Sequence, residues 1–275
     1  MRTLEELKAI KALQKEVEAH DNLEMKLNWE MLEDRESNEY DFLHYENDEL
    51  VAFLGLYGFG STVEVTGMVK PNSRREGHFT RLFDEVMSTV SKLGFTKILM
   101  NAPASSEAAK AFLQMKGAIY SFTEHQMQWQ PVELPEATGF TLRPAEDRDR
   151  ELRVQLDIKA FGLTREDSLA TEGRITAEPD TDLWMIEVEG EPVGKVRVKR
   201  EEDQAWIYGF AILPEHQGKG IGRNVLRRVV KDQSEAGYSV HLEVEATNAH
   251  ALRLYESVGF KVHHAQEYYT YSLNS

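Results

Sequence analysis

The sequence predicts an α/β (α+β) chain built as two tandem copies of one fold, and three observations predict it. The first is an internal repeat, sought before any element is assigned. Val69–Phe83, "VKPNSRREGHFTRLF", aligns without a gap on Ile212–Leu226, "ILPEHQGKGIGRNVL", which pairs Pro71 with Pro214, Gly77 with Gly220 and Leu82 with Val225. The register holds to "LGF" (Leu93–Phe95) against "AGY" (Ala236–Tyr238) and slips by one residue where "FLQMKGA" (Phe112–Ala118) meets "LYESVGF" (Leu254–Phe260). The second observation is that each half runs helix, strands, glycine-bearing loop, helix, strand, helix, strand. The third is length: 275 residues are more than one core usually organises. Patterning breaks at "QPVELPEATGF", Gln130–Phe140, where two prolines and a glycine interrupt it. The expected domains are residues 1–133 and 139–275.

The elements follow from periodicity and punctuation. "MRTLEELKAIKALQKEVEAH" reads as an amphipathic helix with Leu4, Leu7, Ile10, Leu13 and Val17 near one face. In the second half "TLRPAEDRDRELRVQLDIKAF" is a short strand followed by a helix, and "DLWMIEVEGEPVGKVRVKR" is a hairpin turning at "EGEP". "QAWIYGFAIL" is a strand halted by Pro214, which cannot donate to a ladder. "RNVLRRVVKDQSEAG" is a helix with Val225, Leu226, Val229 and Val230 inward and Gly237 at its C-cap. "SVHLEVEA" alternates as a strand. "NAHALRLYESVGF" is a helix that starts at an asparagine cap and ends at Gly259.

Composition narrows the function classes. Hydrophobic residues at 41% and charged residues at 29% are globular values with enough apolar material for proper cores. A net charge of -15 argues against nucleic acid or an anionic membrane as partner, since both require a basic face. The charged N-terminal segment lacks a signal peptide's apolar run, and no stretch is long enough to span a membrane, so a cytoplasmic location is expected. The chain has no cysteine, which removes disulfides, thiolate metal sites and any cysteine nucleophile. His263 and His264 lack the spacing of a metal site and read as surface residues, so no metal is expected. Nothing in the pattern speaks to oligomeric state.

"HQGKGIG", His216–Gly222, sits between a strand and a helix, the usual way to turn backbone N–H groups and a helix dipole toward an anion. A nucleotide-hydrolase P-loop is excluded because Leu213 stands where its first glycine belongs and Gly220 where Ser or Thr follows the lysine. The dinucleotide fingerprint is excluded because Gly218, Gly220 and Gly222 give G-x-G-x-G, with no parallel βαβ unit around them. The loop meets [QR]-x-x-G-x-[GA] at Gln217, Gly220 and Gly222. With Asn248, Ala251, Leu254, Tyr255, Gly259 and Phe260 matching N-x-x-A-x-x-L-Y-x-x-x-G-F, the second half resembles the GNAT acetyltransferase superfamily. The tandem layout is similar to that of its two-domain members.

The resemblance implies a mixed, mostly antiparallel sheet in each domain, with a splayed central strand pair flanked by helices. It implies acetyl-coenzyme A as cosubstrate and a small-molecule or peptide amine as acceptor. Carried over by position, Phe210, Ala211 and Ile212 would line the pantetheine arm, while Gly218, Lys219, Gly220, Ile221, Gly222 and Arg223, with Gln217, would wrap the pyrophosphate. Asn248 would reach the cofactor as well as cap its helix. Tyr255 is placed as the general acid for the leaving thiolate and Glu243 as the base, with Glu245, His241 and Tyr208 as further options. Without cysteine, direct attack of the amine in a ternary complex is the expected route. The alternative from another class is a non-catalytic acyl-coenzyme A sensor or scaffold. A transferase that uses aminoacyl-tRNA fits the net charge poorly.

The first half departs from this pattern. Arg75 stands at Gly218, Glu76 at Lys219, Phe79 at Gly222, Leu113 at Tyr255 and Met100 at Glu243. The expectation is a degenerate, catalytically silent copy in which a phenyl ring and a long side chain obstruct the phosphate loop.

Overall fold

A computed structural model of the chain describes residues 2–35, 37–175 and 180–273. Its backbone forms two compact units, Met1–Thr123 with His264–Ser275, and Glu124–His263.

In the first unit, Thr3 and Glu6 form a reciprocal capping box that starts α1 (Leu4–Asp21). This helix buries Ile10, Leu13 and Val17, whereas Leu4 is 67% exposed; the apolar face therefore begins a turn later than the periodicity suggests. After α2 (Trp29–Glu33) come β1 (Asp41–Glu46), β2 (Glu49–Phe59), β3 (Thr62–Val69), α3 (His78–Leu93), β4 (Lys97–Pro103), α4 (Glu107–Met115) and the start of β5 (Ile119–Trp129). β1, β2 and β3 pair antiparallel, and β3 runs parallel to β4. Leu82, Phe83, Val86, Met87 and Val90 line the buried face of α3 against this sheet.

The second unit contains β6 (Thr141–Pro144), α5 (Arg150–Phe161), α6 (Arg165–Ile175), β7 (Thr181–Val188), β8 (Glu191–Glu201), β9 (Gln204–Ile212), α7 (Ile221–Glu235), β10 (Ser239–Glu245), α8 (Ala249–Glu256) and the start of β11 (Phe260–Tyr271). β6 to β9 pair antiparallel in order, and β9 runs parallel to β10. Val225, Leu226, Val229 and Val230 are buried on α7, as their spacing predicts, and each such side chain contributes about 1.5–3 kcal/mol by leaving water. The helix is capped by Ala236, and Gly237, with φ +96°, lies one residue beyond it.

The first unit takes its last strand from the C-terminal end of the sequence, and the second is completed by a strand that precedes its other elements. Gln266–Tyr271 of β11 pairs antiparallel with Pro103–Ile98 of β4 in the first unit. Glu124–Gln128 of β5 pairs antiparallel with Glu245–His241 of β10 in the second. The contiguous ranges 1–133 and 139–275 therefore do not coincide with the compact units. Residues 124–133 pack in the second unit and 264–275 in the first, because ladder partners are chosen by sheet edges and not by sequence order.

Candidate active site

The site of the second unit is made by an interruption in its sheet. β9 opposes β8 regularly from Gln204 to Tyr208, which faces Arg197; the next pair is Ala211 with Lys195. Gly209 and Phe210 thus stand against Val196 alone, a β-bulge in which Gly209 takes φ +55°, a conformation that side chains disfavour. On the other edge, parallel pairing with β10 runs from Gln204 opposite Ser239 to Ile207 opposite Leu242 and then stops, although both strands continue. The strands splay, and main-chain groups of Tyr208–Ile212 leave the ladder on that side. Phe210, Ala211 and Ile212 lie on this stretch.

Beyond β9 the chain turns through Pro214–His216. The Gln217 amide donates to the carbonyl of Ile212 at 2.8 Å, tying the loop to the strand end. Gly220, at φ +81°, is the N-cap of α7 and supplies no side-chain hydrogen bond, so the first amides of that helix are left for another acceptor. A Cβ at Gly218 or Gly220 would meet no atom within 4 Å, whereas one at Gly222 would lie 3.4–3.6 Å from Ile212, Leu254 and Phe210. Gly222 is therefore a packing position. Gly218, Lys219 and Gly220 are exposed, Ile221 is half-buried, and Arg223 reaches the Ser257 hydroxyl at 3.0 Å.

Asn248 accepts from the Ala251 amide at 3.1 Å and caps α8, which occupies its side-chain oxygen. Tyr255 is half-buried in the last turn of α8, edge-on to Phe260. Burial alone pushes its phenol up to about 12. Glu243 lies on β10 opposite Gln126, whose amide donates to its carboxylate at 3.0 Å. Its strand face also carries His241, which stacks on Trp206 at 4.9 Å; Trp206 stacks in turn on Tyr208, which lies under the Arg197 guanidinium. Glu245 is exposed. Of the two histidines read as surface residues, His264 belongs to the first unit and lies 2.7 Å from Glu24.

Beside the bulge lies a group that the sequence pattern conceals. Lys195 on β8 contacts Asp157 of α5 at 2.6 Å and lies 3.8 Å from Glu172 of α6. Glu172 also accepts from Arg153 at 2.6 Å, and Ser168 donates to Asp157 at 2.8 Å; all five side chains are buried. Arg153 and Asp157 stand four residues apart on α5, so the helix face turned inward is charged. Apolar periodicity had no means of locating it.

In the first unit the equivalent strands splay as well. β3 and β4 pair from Thr62–Lys97 to Val65–Met100 and then part, but β2 and β3 pair without a shift, so the bulge is missing. The loop keeps its backbone: Arg75 has φ +68° where Gly218 has +73°, and Gly77 caps α3 at +88° as Gly220 caps α7. Phe79 does not project into the loop as expected. Its ring packs against Gly67 and Phe112, in a reversal of the arrangement in the second unit, where Phe210 packs against Gly222.

The parted strands bound an apolar cleft of about 460 Å³ lined by Leu54, Val65, Phe79, Met100, Phe112 and Asn101. Among the described residues both amide atoms of the buried Asn101 lack a hydrogen-bond partner, and Met100 and Leu113 are buried in the core. An unpaired buried amide costs about 1–3 kcal/mol. Asn101→Leu is accordingly expected to stabilise the protein by about 1–2 kcal/mol in urea titrations.

Comparison with known proteins defines the class. The Acetyltransferase (GNAT) family profile matches residues 146–260. A mycothiol acetyltransferase of Brachybacterium faecium is 29% identical over 238 residues, covering 78% of this chain and 69% of its own length. The ribosomal protein bS18-alanine N-acetyltransferase of Escherichia coli is 39% identical over 59 residues, 21% of this chain and 40% of that protein. A GCN5-related N-acetyltransferase structure from Sphaerobacter thermophilus superposes with a TM-score of 0.81 at 20% identity, covering 99% of this chain and 94% of that one. The family match covers residues 146–260 and, with the acetyltransferase relatives, supports an acetyltransferase; enzymes of the matched family use acetyl-coenzyme A as cosubstrate. Among the described residues no helix is long and apolar enough to cross a membrane.

Proposed function

We propose that the second unit transfers acetyl from acetyl-coenzyme A to a small-molecule or peptide amine by direct attack, and that the first unit is a degenerate copy without chemistry of its own. The observation that carries this reading is the conjunction of bulge, splay and uncapped helix within one stretch, residues 208–223. Main-chain groups of Phe210–Ile212 bind the pantetheine arm, and the 217–223 loop with the first amides of α7 binds the pyrophosphate. A bulge N–H polarises the thioester carbonyl. The amine nitrogen attacks the carbonyl carbon and the C–S bond breaks. Glu243 takes the proton the amine loses, directly or through water, and Tyr255 hydrogen-bonds the departing sulfur as its charge develops, the thiolate leaving as such or taking its proton from solvent. The first unit offers Met100 and Leu113 at the corresponding positions, with no bulge.

The test is acetyl transfer from acetyl-coenzyme A to an amine panel, read as thiol release for thiol-free peptides and polyamines and as the mass of the acetylated product for des-acetyl mycothiol, which has a thiol of its own. Since the enzyme has no cysteine, its own background is nil. Transfer to an amine supports the proposal. Cofactor binding without transfer to any amine would instead support a sensor or scaffold.

A further inference from the structure

We propose that His44, Glu46 and His78 of the first unit bind a divalent transition-metal ion, with Glu76, beside His78, or water as the fourth donor, zinc being the ion chosen for the test. His44 and Glu46 occupy alternate positions at the end of β1, and His78 opens α3. His78 Nε2 lies 3.6 Å from the Glu46 carboxylate and 3.2 Å from that of Glu76; His44 Nε2 lies 3.8 Å from Glu46. The two rings stack with centroids 4.8 Å apart, and one ligand atom from each of His44, Glu46 and His78 falls within 4.8 Å of the others.

A proton between His78 and Glu76 satisfies only part of this arrangement. His44 Nε2 is buried and has no hydrogen-bond partner among the described residues, and 3.8 Å to Glu46 is beyond hydrogen-bond reach. Four donors on a zinc ion, with bonds of about 2.0–2.2 Å, stand about 3.3 Å from one another. The two contacts to Glu46, 3.6 and 3.8 Å, exceed that by a few tenths of an ångström and His78 to Glu76, 3.2 Å, already meets it, so a modest contraction about Glu46 brings His44, Glu46 and His78 toward ligating distances. Two imidazoles and one carboxylate suit zinc in type, with Glu76 or water left for the fourth position, and the ion would offset the charge of Glu46.

Arg81 supplies the opposing force. Its guanidinium lies 3.2 Å from His78 Nδ1. Donation there leaves the ring proton on Nε2, facing the carboxylates. A metal ion takes that proton's place, Nδ1 then carries the hydrogen, and the exposed Arg81 turns to solvent.

The experiment uses the full chain, stripped with EDTA and titrated with zinc by calorimetry and with cobalt(II) by visible absorption. Expected are one equivalent of zinc, the d–d bands of four-coordinate cobalt, and a metal-dependent rise in Tm. His44→Gln with His78→Gln, and separately Glu46→Gln, should each weaken binding at least about tenfold. Arg81→Ala should tighten it, and His264→Gln, beside Glu24, should leave it unchanged. Glu46 is 42% exposed, so its variant tests the site even if the histidine pair proves necessary for folding. Absence of a stoichiometric site, affinity indifferent to Glu46→Gln, or loss of binding in His264→Gln would each overturn the proposal. None of these readouts depends on acetyl transfer.

Discussion

Tyr255→Phe is expected to lower kcat by about 10²–10³-fold while the Kd for acetyl-coenzyme A changes by less than about twofold, as general acids of this kind contribute. The hydroxyl is lost while the ring, edge-on to Phe260, is retained. Desolvation raises the phenol to about 12, so it remains protonated at every pH below that, and it should contribute no alkaline limb to the rate between pH 7 and 10. Full transfer to a thiolate of pKa about 8.5 would be uphill by about 3.5 pK units, or about 5 kcal/mol. Tyr255 therefore acts chiefly by hydrogen-bonding sulfur as charge develops. Thiol-release kinetics against pH, paired with calorimetry of cofactor binding, test this directly; an unchanged kcat would remove Tyr255 from the role.

Lys195→Met is expected to destabilise the protein by about 3–5 kcal/mol, because it removes the cation beside the buried Asp157 carboxylate and one of the cations near Glu172. Differential scanning calorimetry should show the transition of the second unit falling by about 6–20 °C. Adding Asp157→Leu should recover most of the loss, since the uncompensated charge is then gone and Ser168 loses only one hydrogen bond. A loss below about 1 kcal/mol in the single variant would show that water reaches the cluster. The same lysine faces Ala211 across the ladder beside the bulge, so an altered KM in variants that stay folded would tie the network to the shape of the site.

Legibility of the sequence followed the range of the interactions involved. The β7–β8 hairpin, the apolar stripe of α7, the Asn248 cap and the glycine turn at 259 could all be read, because each depends on residues a few positions apart. The inward face of α5 could not, since Arg153 and Asp157 carry charges whose partners on β8 and α6 are supplied only by folding. The bulge at Gly209 was equally hidden. "IYGFAIL" reads as an unbroken strand, and only the register against β8 shows the extra residue.

The repeat offers the clearest division. Its local signature, a strand, a turn with two left-handed residues and a helix capped by glycine, is written into both halves and folds alike in both. Position by position, the sequence also places Tyr255 and Glu243 in the second half where the first has Leu113 and Met100. Which strand completes which unit, and whether a phenyl ring from the helix or from the strand fills the space between them, depended on partners more than a hundred residues away or on packing across the sheet. A chain's local preferences are fixed by its neighbours in sequence, whereas ladder edges and core volumes exist only once the sheet has formed.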